Sequence, residues 1–191
     1  MNLDTINQLL KTCLDREVWV VTAAHDGHQA GLLATFVSPI SIVPELPRLA
    51  VALSKLHHTW TVVEAAKTFA VHLLTVEQAD LAWRFGTRSG RDVDKFAGVA
   101  WQAGLTGSPI LSDAQGWLEC RVEHSFDTGD RTLYLAEVVA GDLGGSFAPL
   151  TQRQLIGLAT PEQLQMLRSQ LAADAAQDAQ AIHQWRNDQR P

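Results

Sequence analysis

A long antiparallel hairpin is predicted by the stretch WLECRVE at residues 117–123, in which apolar and charged residues alternate. This alternation is typical of a strand that buries one face and exposes the other. The stretch TLYLAEVV at residues 132–139 predicts the second strand, and Thr128-Gly129-Asp130 between them has the composition of a turn. Residues 117–139 are therefore expected to form one antiparallel pair of strands.

Further strands precede this hairpin along the chain. Strands are predicted at 18–23 and 30–37, joined by the turn residues Asp26-Gly27, and at 49–53 and 69–74. Short helices are expected at 3–14, 60–66 (with Thr59 as N-cap) and 77–85, and the polar stretch 86–95 is expected to be a loop. Strands joined mostly by hairpins indicate a mainly β protein with an antiparallel barrel, not a parallel doubly wound sheet.

A long helix follows the strands. Thr160 is a candidate N-cap, Pro161 suits the first turn, and Gln163 completes a capping box. A helix of about 28 residues, roughly 42 Å long, exceeds the face of one small barrel. Its far end is therefore expected to be solvated or to reach a partner subunit, the alternative being a helix that folds over its own barrel and frays after Ala181. The apolar stripe comprises Leu164, Leu167, Leu171, Ala175, Ile182 and Trp185. We expect two units, a barrel over 1–150 and a helical arm over 151–191.

Composition narrows the class of protein. The chain has 191 residues, 46% of them hydrophobic, and a net charge of −6. An acidic chain without a basic run argues against binding to nucleic acid or to an anionic membrane surface. No apolar run approaches the ~20 residues of a spanning helix, and residues 1–16 do not resemble a signal peptide. Cys13 and Cys120 form no CxxC motif, so a cytoplasmic protein without disulfides or zinc is expected.

Two segments carry candidate binding chemistry. Hydroxyls recur at Thr35, Ser38 and Ser41 within the apolar stretch 31–41. The segment 54–59, SKLHHT, places hydroxyls and a lysine between a strand and a helix start, where free N–H groups favour an anion. Ordinary surface loops with capping residues are an equal alternative for both. For the adjacent His57 and His58, loop histidines are favoured over a metal site, and no metal is expected.

An ordered series of segments resembles the flavin reductase-like family of FMN-binding split barrels. The resemblance runs from about residue 18 to residue 141, and no single motif in it is highly specific. It is carried by WVVTA at 19–23, the stretch 30–41, Pro44 and Pro47, AVALSK at 50–55, Thr59, DKF at 94–96, LEC at 118–120, and Gly129-Asp130.

The resemblance implies a split β-barrel that forms a homodimer and binds flavin near the subunit interface. It implies FMN as cofactor, with FAD possible, and transfer of a hydride from NAD(P)H to flavin N5. No catalytic residue is assigned. Under the resemblance the loop at 86–95, with Arg88, Arg91 and Lys95, either screens the phosphates of a nicotinamide substrate or is a solvated basic loop. By position in the family's series, the residues facing the flavin ring would be Thr35, Phe36, Val37, Ser38 and Ser41. Those facing its phosphate would be Ser54, Lys55, His58 and Thr59.

Three departures from the family pattern keep alternatives open. Leu33 stands where the family usually has Thr, Pro44-Glu45-Leu46-Pro47 replaces a double proline, and Arg131 replaces the His of a Gly-Asp-His sequence. The first interpretation is an NAD(P)H-dependent flavin reductase. The second is an FMN-binding electron-transfer flavoprotein reduced by a protein partner, which Arg131 favours. The third is a flavin-free dimeric split-barrel binding protein, which Leu33 favours.

Overall fold

The fold was analysed in a computed structural model, which describes residues 2–189 apart from the side chains of residues 11 and 12. Met1, Arg190 and Pro191, at the ends of the two predicted units, lie outside the described residues. Nine strands and five α-helices are found in the described part. The strands are β1 Trp19–His25, β2 His28–Ala34, β3 Val37–Pro39, β4 Arg48–Ser54, β5 Thr68–Leu73, β6 Trp101–Ala103, β7 Pro109–Leu111, β8 Gly116–Asp127 and β9 Arg131–Leu143. The helices are α1 Leu3–Gln8, continued by a π-turn at Leu9–Cys13, α2 His58–Ala66, α3 Ala79–Gly86, preceded by a 3₁₀ turn at Val76–Gln78, α4 Gln152–Gly157 and α5 Pro161–Asp188.

Seven strands form one sheet in the order β2-β1-β5-β8-β9-β4-β3, and every neighbouring pair is antiparallel. The two edges of this sheet are β2 and β3, which follow each other in the chain. The sheet is curled into a half-barrel. The remaining strands β6 and β7 pair separately. This is the mainly antiparallel split barrel with a long C-terminal helix that the sequence predicts.

The predicted hairpins are confirmed, and β8 and β9 are longer than predicted. The strand predicted at 30–37 is wrong at its end, because β2 stops at Ala34 and the chain from Val37 onward pairs with β4 instead of β1. β8 and β9 pair from Gly116–Leu143 to Asp127–Thr132 around the predicted turn. Asp26 and Gly27 both take positive φ between β1 and β2, as a tight hairpin turn requires. The polar stretch 86–95 contains no strand, in agreement with the predicted loop.

One predicted cap is wrong. α2 begins at His58, with His57 in the extended N-cap conformation, while Thr59 lies inside the first turn and is buried. The cause is the preceding turn, in which the Leu56 N–H donates to the Ser54 hydroxyl and the His57 N–H to the Ser54 carbonyl. Helix α2 therefore begins two residues earlier than a cap at Thr59 would place it.

Two apolar clusters form the core. One lies within the barrel around Phe69, Val71 and Tyr134. The other lies between the sheet, α3 and α4, and includes Leu150 and Leu155. Burying these side chains removes apolar surface from water, worth roughly 25 cal/mol per Å². His72 is a satisfied sheet residue, as expected, because its Nδ1 contacts the Val20 carbonyl and its Nε2 accepts from the Leu111 N–H. Burial lowers its pKa to about 4, so it is neutral.

Helix α5 lies along its own chain. Its capping box at Thr160 and Gln163 is as predicted, but the helix continues to Asp188 without fraying at Ala181. No residue of α5 is fully buried. The half-buried positions recur every three or four residues, twice as adjacent pairs, and define one contact stripe: Gln163, Leu164, Leu167, Gln170, Asp174, Asp178, Ala181, Ile182 and Trp185. Leu171 and Ala175, placed in the stripe by the sequence, are exposed.

Candidate functional site

The start of α2 is an anion-binding arrangement. Among the described side chains, none caps this N-terminus by hydrogen bonding. The first N–H groups of a helix have no partner within the helix, and with the helix dipole they favour negative charge. The sequence 54–59 folds this way because β4 ends at Ser54 and the Ser54 turn feeds directly into the helix.

Two cations from the predicted loop at 86–95, Arg91 and Lys95, line a cavity that the start of α2 also lines. The Arg91 guanidinium donates to the Leu56 carbonyl at 3.0 Å. The Lys95 ammonium is buried and donates to the carbonyls of Gly31 at 2.9 Å and Phe85 at 2.8 Å. Burial lowers the pKa of Lys95 to about 8, so it is still mainly charged at neutral pH. Of the two interpretations of this loop, the solvated one does not apply to Lys95.

The two histidines lie within this cationic surround. Burial is the largest cause of the lowered pKa of His57, and the neighbouring Lys95, Arg131 and Arg91 lower it further against the opposing charge of Asp174. Burial, Arg91 and Lys95 also lower the pKa of His58. Within the described residues, no group of three His, Cys, Asp or Glu side chains is placed to hold a metal ion.

The predicted phosphate residues occupy different positions around the helix start. His58 and Thr59 line a cavity of about 300 Å³. Ser54 is buried and uses its hydroxyl in the turn. The Lys55 ammonium lies 2.6 Å from an Asp127 carboxylate oxygen, so its charge is already paired. The hydrogen bond from Lys55 is the main reason that the pKa of Asp127 is lowered.

The predicted ring-facing residues lie between β2 and β4. Phe36 is 46% exposed, and the guanidinium groups of Arg16 and Arg131 lie 5.4 Å and 5.2 Å from its ring centroid. Thr35, Val37 and Ser41 are half-buried and Ser38 is exposed. The Ser41 hydroxyl accepts from the Val43 N–H at 3.1 Å. The segment thus combines hydroxyls with exposed apolar side chains.

The fold brings the two segments to one corner of the barrel. The Ala52 N–H donates to the Phe36 carbonyl, which ties the ring-facing segment to the end of β4. Ser54 pairs with Arg131 on β9, and the Arg131 side chain reaches over Phe36. Arg131 also contacts Asp130 at 3.1 Å and Asp178 of α5 at 3.3 Å.

The residues present fit a phosphorylated aromatic ligand. A helix start with two nearby cations, Arg91 and Lys95, matches the charge and the acceptor oxygens of a phosphate. The apolar segment at 36–46 offers surface to an aromatic ring. Leu33, which stands where the family usually has Thr, lines the 300 Å³ cavity beside Gly86.

Comparison with known proteins places this geometry in a family. Residues 12–154 match the flavin reductase like domain, which is more than half of the chain. The chain belongs to the flavin reductase-like family. Membership agrees with the resemblance drawn from the sequence, and α5 lies beyond the matched residues.

Three flavin reductase-like relatives illustrate the match. The reductase subunit of a flavin-dependent monooxygenase from Mycobacterium tuberculosis is 31% identical over 121 residues, 63% of this chain and 62% of the relative. An FMN reductase (NADH) from Pseudomonas syringae is 32% identical over 120 residues, 63% of this chain and 66% of the relative. An NADH:FAD oxidoreductase from Streptomyces globisporus has a solved structure with a TM-score of 0.65 and 26% identity, covering 74% of this chain and 83% of that one. The chain thus matches somewhat less than two thirds of the first of these relatives.

Several site residues were not singled out by sequence reasoning. The sequence predicts His57 as a loop histidine in preference to a metal ligand, and does not reveal that it is the N-cap of α2. The α5 residues Leu167, Gln170, Leu171 and Asp174 line the same cavity as His58 and Thr59. Their spacing of three or four residues was the available signal, but it does not tell what the helix faces.

Proposed function

We propose that this protein is an NAD(P)H-dependent flavin reductase that binds FMN at the corner between β4, α2 and the 86–95 loop. The observation that carries the proposal is the uncapped start of α2 with Arg91 and Lys95 beside it, in a chain of the flavin reductase-like family. The relatives are named as reductases that use NADH with FMN or FAD, which supports the same chemistry here.

Flavin, when bound, supplies the hydride acceptor. The chain's own residues bind and orient it. Arg91, Lys95 and the N–H groups at His58 and Thr59 hold the phosphate, and Ser54 and Lys55 shape that end of the site. Thr35, Phe36, Val37, Ser38 and Ser41 face the ring. Because hydride transfer needs reacting atoms about 3–3.5 Å apart and no strong acid or base, the absence of an assigned catalytic residue fits the reaction.

A second candidate function is an FMN-binding electron-transfer flavoprotein that takes electrons from a protein. It is favoured by Arg131, which replaces a family histidine and forms ion pairs with Asp130 and Asp178.

The name of the Mycobacterium tuberculosis relative describes it as the reductase subunit of a monooxygenase. We infer that a flavin-using oxygenase is the class of protein that would accept reduced flavin from this chain.

A homodimer is part of the proposal. Exposed apolar side chains concentrate at 40–46, with Ile42 99% and Leu46 65% exposed. An apolar cavity of about 730 Å³ lies on the sheet near Trp19, Pro47 and Leu118. Such patches mark interfaces in soluble proteins. The division into units 1–150 and 151–191 stays a prediction.

A cytoplasmic location is also proposed. Cys13 and Cys120 are both free, as expected in a reducing compartment. Within the described residues, no helix is long and apolar enough to cross a membrane.

The deciding experiment is a spectrum of the purified protein with FMN, followed by NADH and NADPH oxidation assays with free FMN. Flavin binding with NAD(P)H oxidation supports the reductase. Flavin binding without oxidation supports the electron-transfer protein, and no binding of FMN, FAD or riboflavin supports the flavin-free protein. Chelator should leave the rate unchanged. In sedimentation, Ile42→Asp should shift the protein toward monomer, whereas the exposed substitution Asp188→Asn should not.

A further inference from the structure

Helix α5 closes the far side of the phosphate cavity. Leu167, Gln170, Leu171 and Asp174 line the cavity opposite His57, His58 and Thr59. Asp174 is close enough to His57 to raise the pKa of that imidazole. Anything bound at the start of α2 that extends beyond its first phosphate therefore meets the side chains of α5.

The helix is held firmly in this position. Gly129, in the β8–β9 turn, lies so close to α5 that a Cβ built there would be 2.9 Å from the Trp185 Cβ and 3.0 Å from the Ala181 carbonyl oxygen. One turn nearer the cavity, Asp178 accepts a hydrogen bond from Arg131. Two separate contacts thus fix α5 on the barrel, and the far wall of the cavity is not free to swing away without breaking them.

The two walls of the cavity carry opposite charge. Arg91 and Lys95 lie on the wall formed by the 86–95 loop, whereas Asp174 lies on the wall formed by α5. A single phosphate at the start of α2 meets the cations. A second phosphate that extends from the first toward α5 would meet the Asp174 carboxylate, and like charges in a half-buried place repel strongly.

The size of the cavity also disfavours a ligand that extends beyond one phosphate. Pockets that enclose drug-sized ligands hold roughly 300–1,000 Å³, and this cavity, at about 300 Å³, is at the lower end. It has room for a phosphate and its neighbouring atoms, and offers little space on the α5 side for the further adenosine monophosphate portion that FAD has and FMN lacks.

We propose that α5 makes this site select FMN over FAD, with Leu171 as the steric element and Asp174 as the charged element. The inference rests on the proposed function, because it takes the start of α2 as the flavin phosphate site. Family membership alone does not decide the matter, since relatives are named for FMN and for FAD. The selecting helix lies outside residues 12–154, the part that matches the flavin reductase like domain.

The test is a pair of binding titrations, with FMN and with FAD, followed by flavin fluorescence on the full-length protein. We expect the wild type to bind FMN at least about tenfold more tightly than FAD. Asp174→Lys should narrow this ratio at least about fivefold, because the new ammonium attracts a second phosphate. Leu171→Ala should also lower the ratio of FMN affinity to FAD affinity, because the smaller side chain widens the cavity on the side of α5. Asp188→Lys makes the same charge change at an exposed position of α5 and should leave the ratio unaltered.

Equal affinity of the wild type for FMN and FAD would overturn the inference while leaving the proposed function intact. So would an unchanged ratio in both cavity variants, with circular dichroism confirming that they fold. If the wild type binds neither FMN, FAD nor riboflavin, the proposed function itself is wrong, and the inference is overturned with it.

Discussion

The Arg131 guanidinium donates to the Asp178 carboxylate across 47 residues of sequence, with 3.3 Å between Nη2 and Oδ2. The same guanidinium lies 5.2 Å from the centroid of the Phe36 ring and contacts Asp130. One side chain therefore joins the start of β9, the segment predicted to face flavin, and α5. Arg131, which replaces the family histidine, uses its guanidinium in these structural contacts. Few of its N–H donors therefore remain for a nicotinamide nucleotide.

The first prediction concerns this pair. In a double-mutant cycle with Arg131→Met and Asp178→Asn, we expect a coupling free energy of about 1 kcal/mol, above the usual value for a surface pair because both groups are largely shielded. Urea unfolding of the four proteins measures it. The pair Arg121 and Glu137, which is much more exposed, is the matched control and should give less than about 0.5 kcal/mol. Equal coupling in the two cycles would contradict the assignment of Arg131 as the anchor of α5.

The second prediction concerns the phosphate. Arg91→Ala should weaken FMN binding at least about tenfold, or 1.4 kcal/mol, because a charged donor at the helix start is lost. Riboflavin lacks the phosphate, so its affinity should change less than about twofold. Lys55→Glu should also cost FMN at least about tenfold, since it places a second carboxylate beside Asp127. Fluorescence titration measures these affinities, and Arg121→Ala, at an exposed strand position, is the control. Parallel losses for FMN and riboflavin in the Arg91 variant would place the phosphate elsewhere.

The third prediction is a pH dependence with two opposite signs. FMN binding should weaken as the pH rises through about 8, where Lys95 loses its proton. The stability of the free protein should instead gain from this group between about pH 8 and 10.4, because the unfolded chain binds that proton more tightly than the folded one.

FMN titrations measure the first effect and urea unfolding the second, each at pH 7.5 and 9.5. The same measurements on Lys95→Met show how much of each pH dependence comes from other groups. The variant should lack both dependences, and it should be less stable by roughly 1–3 kcal/mol because the buried carbonyls of Gly31 and Phe85 lose their donor. A variant that keeps the wild-type pH profile of FMN binding would remove Lys95 from the site.

The sheet could be predicted because its signals are local. Apolar and charged residues alternate along β8 and β9, and Asp26-Gly27 and Thr128-Gly129-Asp130 supply turn chemistry at the right intervals. The short pair β6 and β7 was missed, because contacts distant in sequence hold it in place. The Leu111 N–H donates to His72, and the Pro109 carbonyl accepts from Thr22, 87 residues away. Three-residue strands have no periodicity to detect.

The site was partly predictable for the same reason. A strand that ends in hydroxyls before a helix is visible in the sequence at 54–59. Burial is not visible there, so Lys95 could not be told from a solvated lysine of a basic loop. Asp178 lies among the apolar residues of α5 in the sequence, and in the structure it faces Arg131 in the middle of the contact stripe. A charged residue on a helix face can be understood only when its partner is known.

The last prediction uses two glycines to measure how tightly α5 is held. Gly129 has a φ of +94° and Gly27 a φ of +79°, so alanine at either position costs about 1–3 kcal/mol in backbone strain. A Cβ at Gly27 meets nothing within 4 Å, whereas one at Gly129 meets Trp185, Ala181 and Ile182 at 2.9–3.1 Å. Gly129→Ala should therefore destabilise the protein by at least about 1 kcal/mol more than Gly27→Ala. Urea unfolding measures the difference.

The same two substitutions in a chain ending at Thr160 test the cause, because α5 is then absent. The excess cost at Gly129 should vanish, leaving two similar strain penalties. If the excess persists without α5, the β8–β9 turn is intolerant for reasons of its own, and the helix is not what Gly129 accommodates. If it vanishes, the small size of Gly129 is the condition for α5 to lie against the barrel, and with it for Asp174 to reach the phosphate cavity.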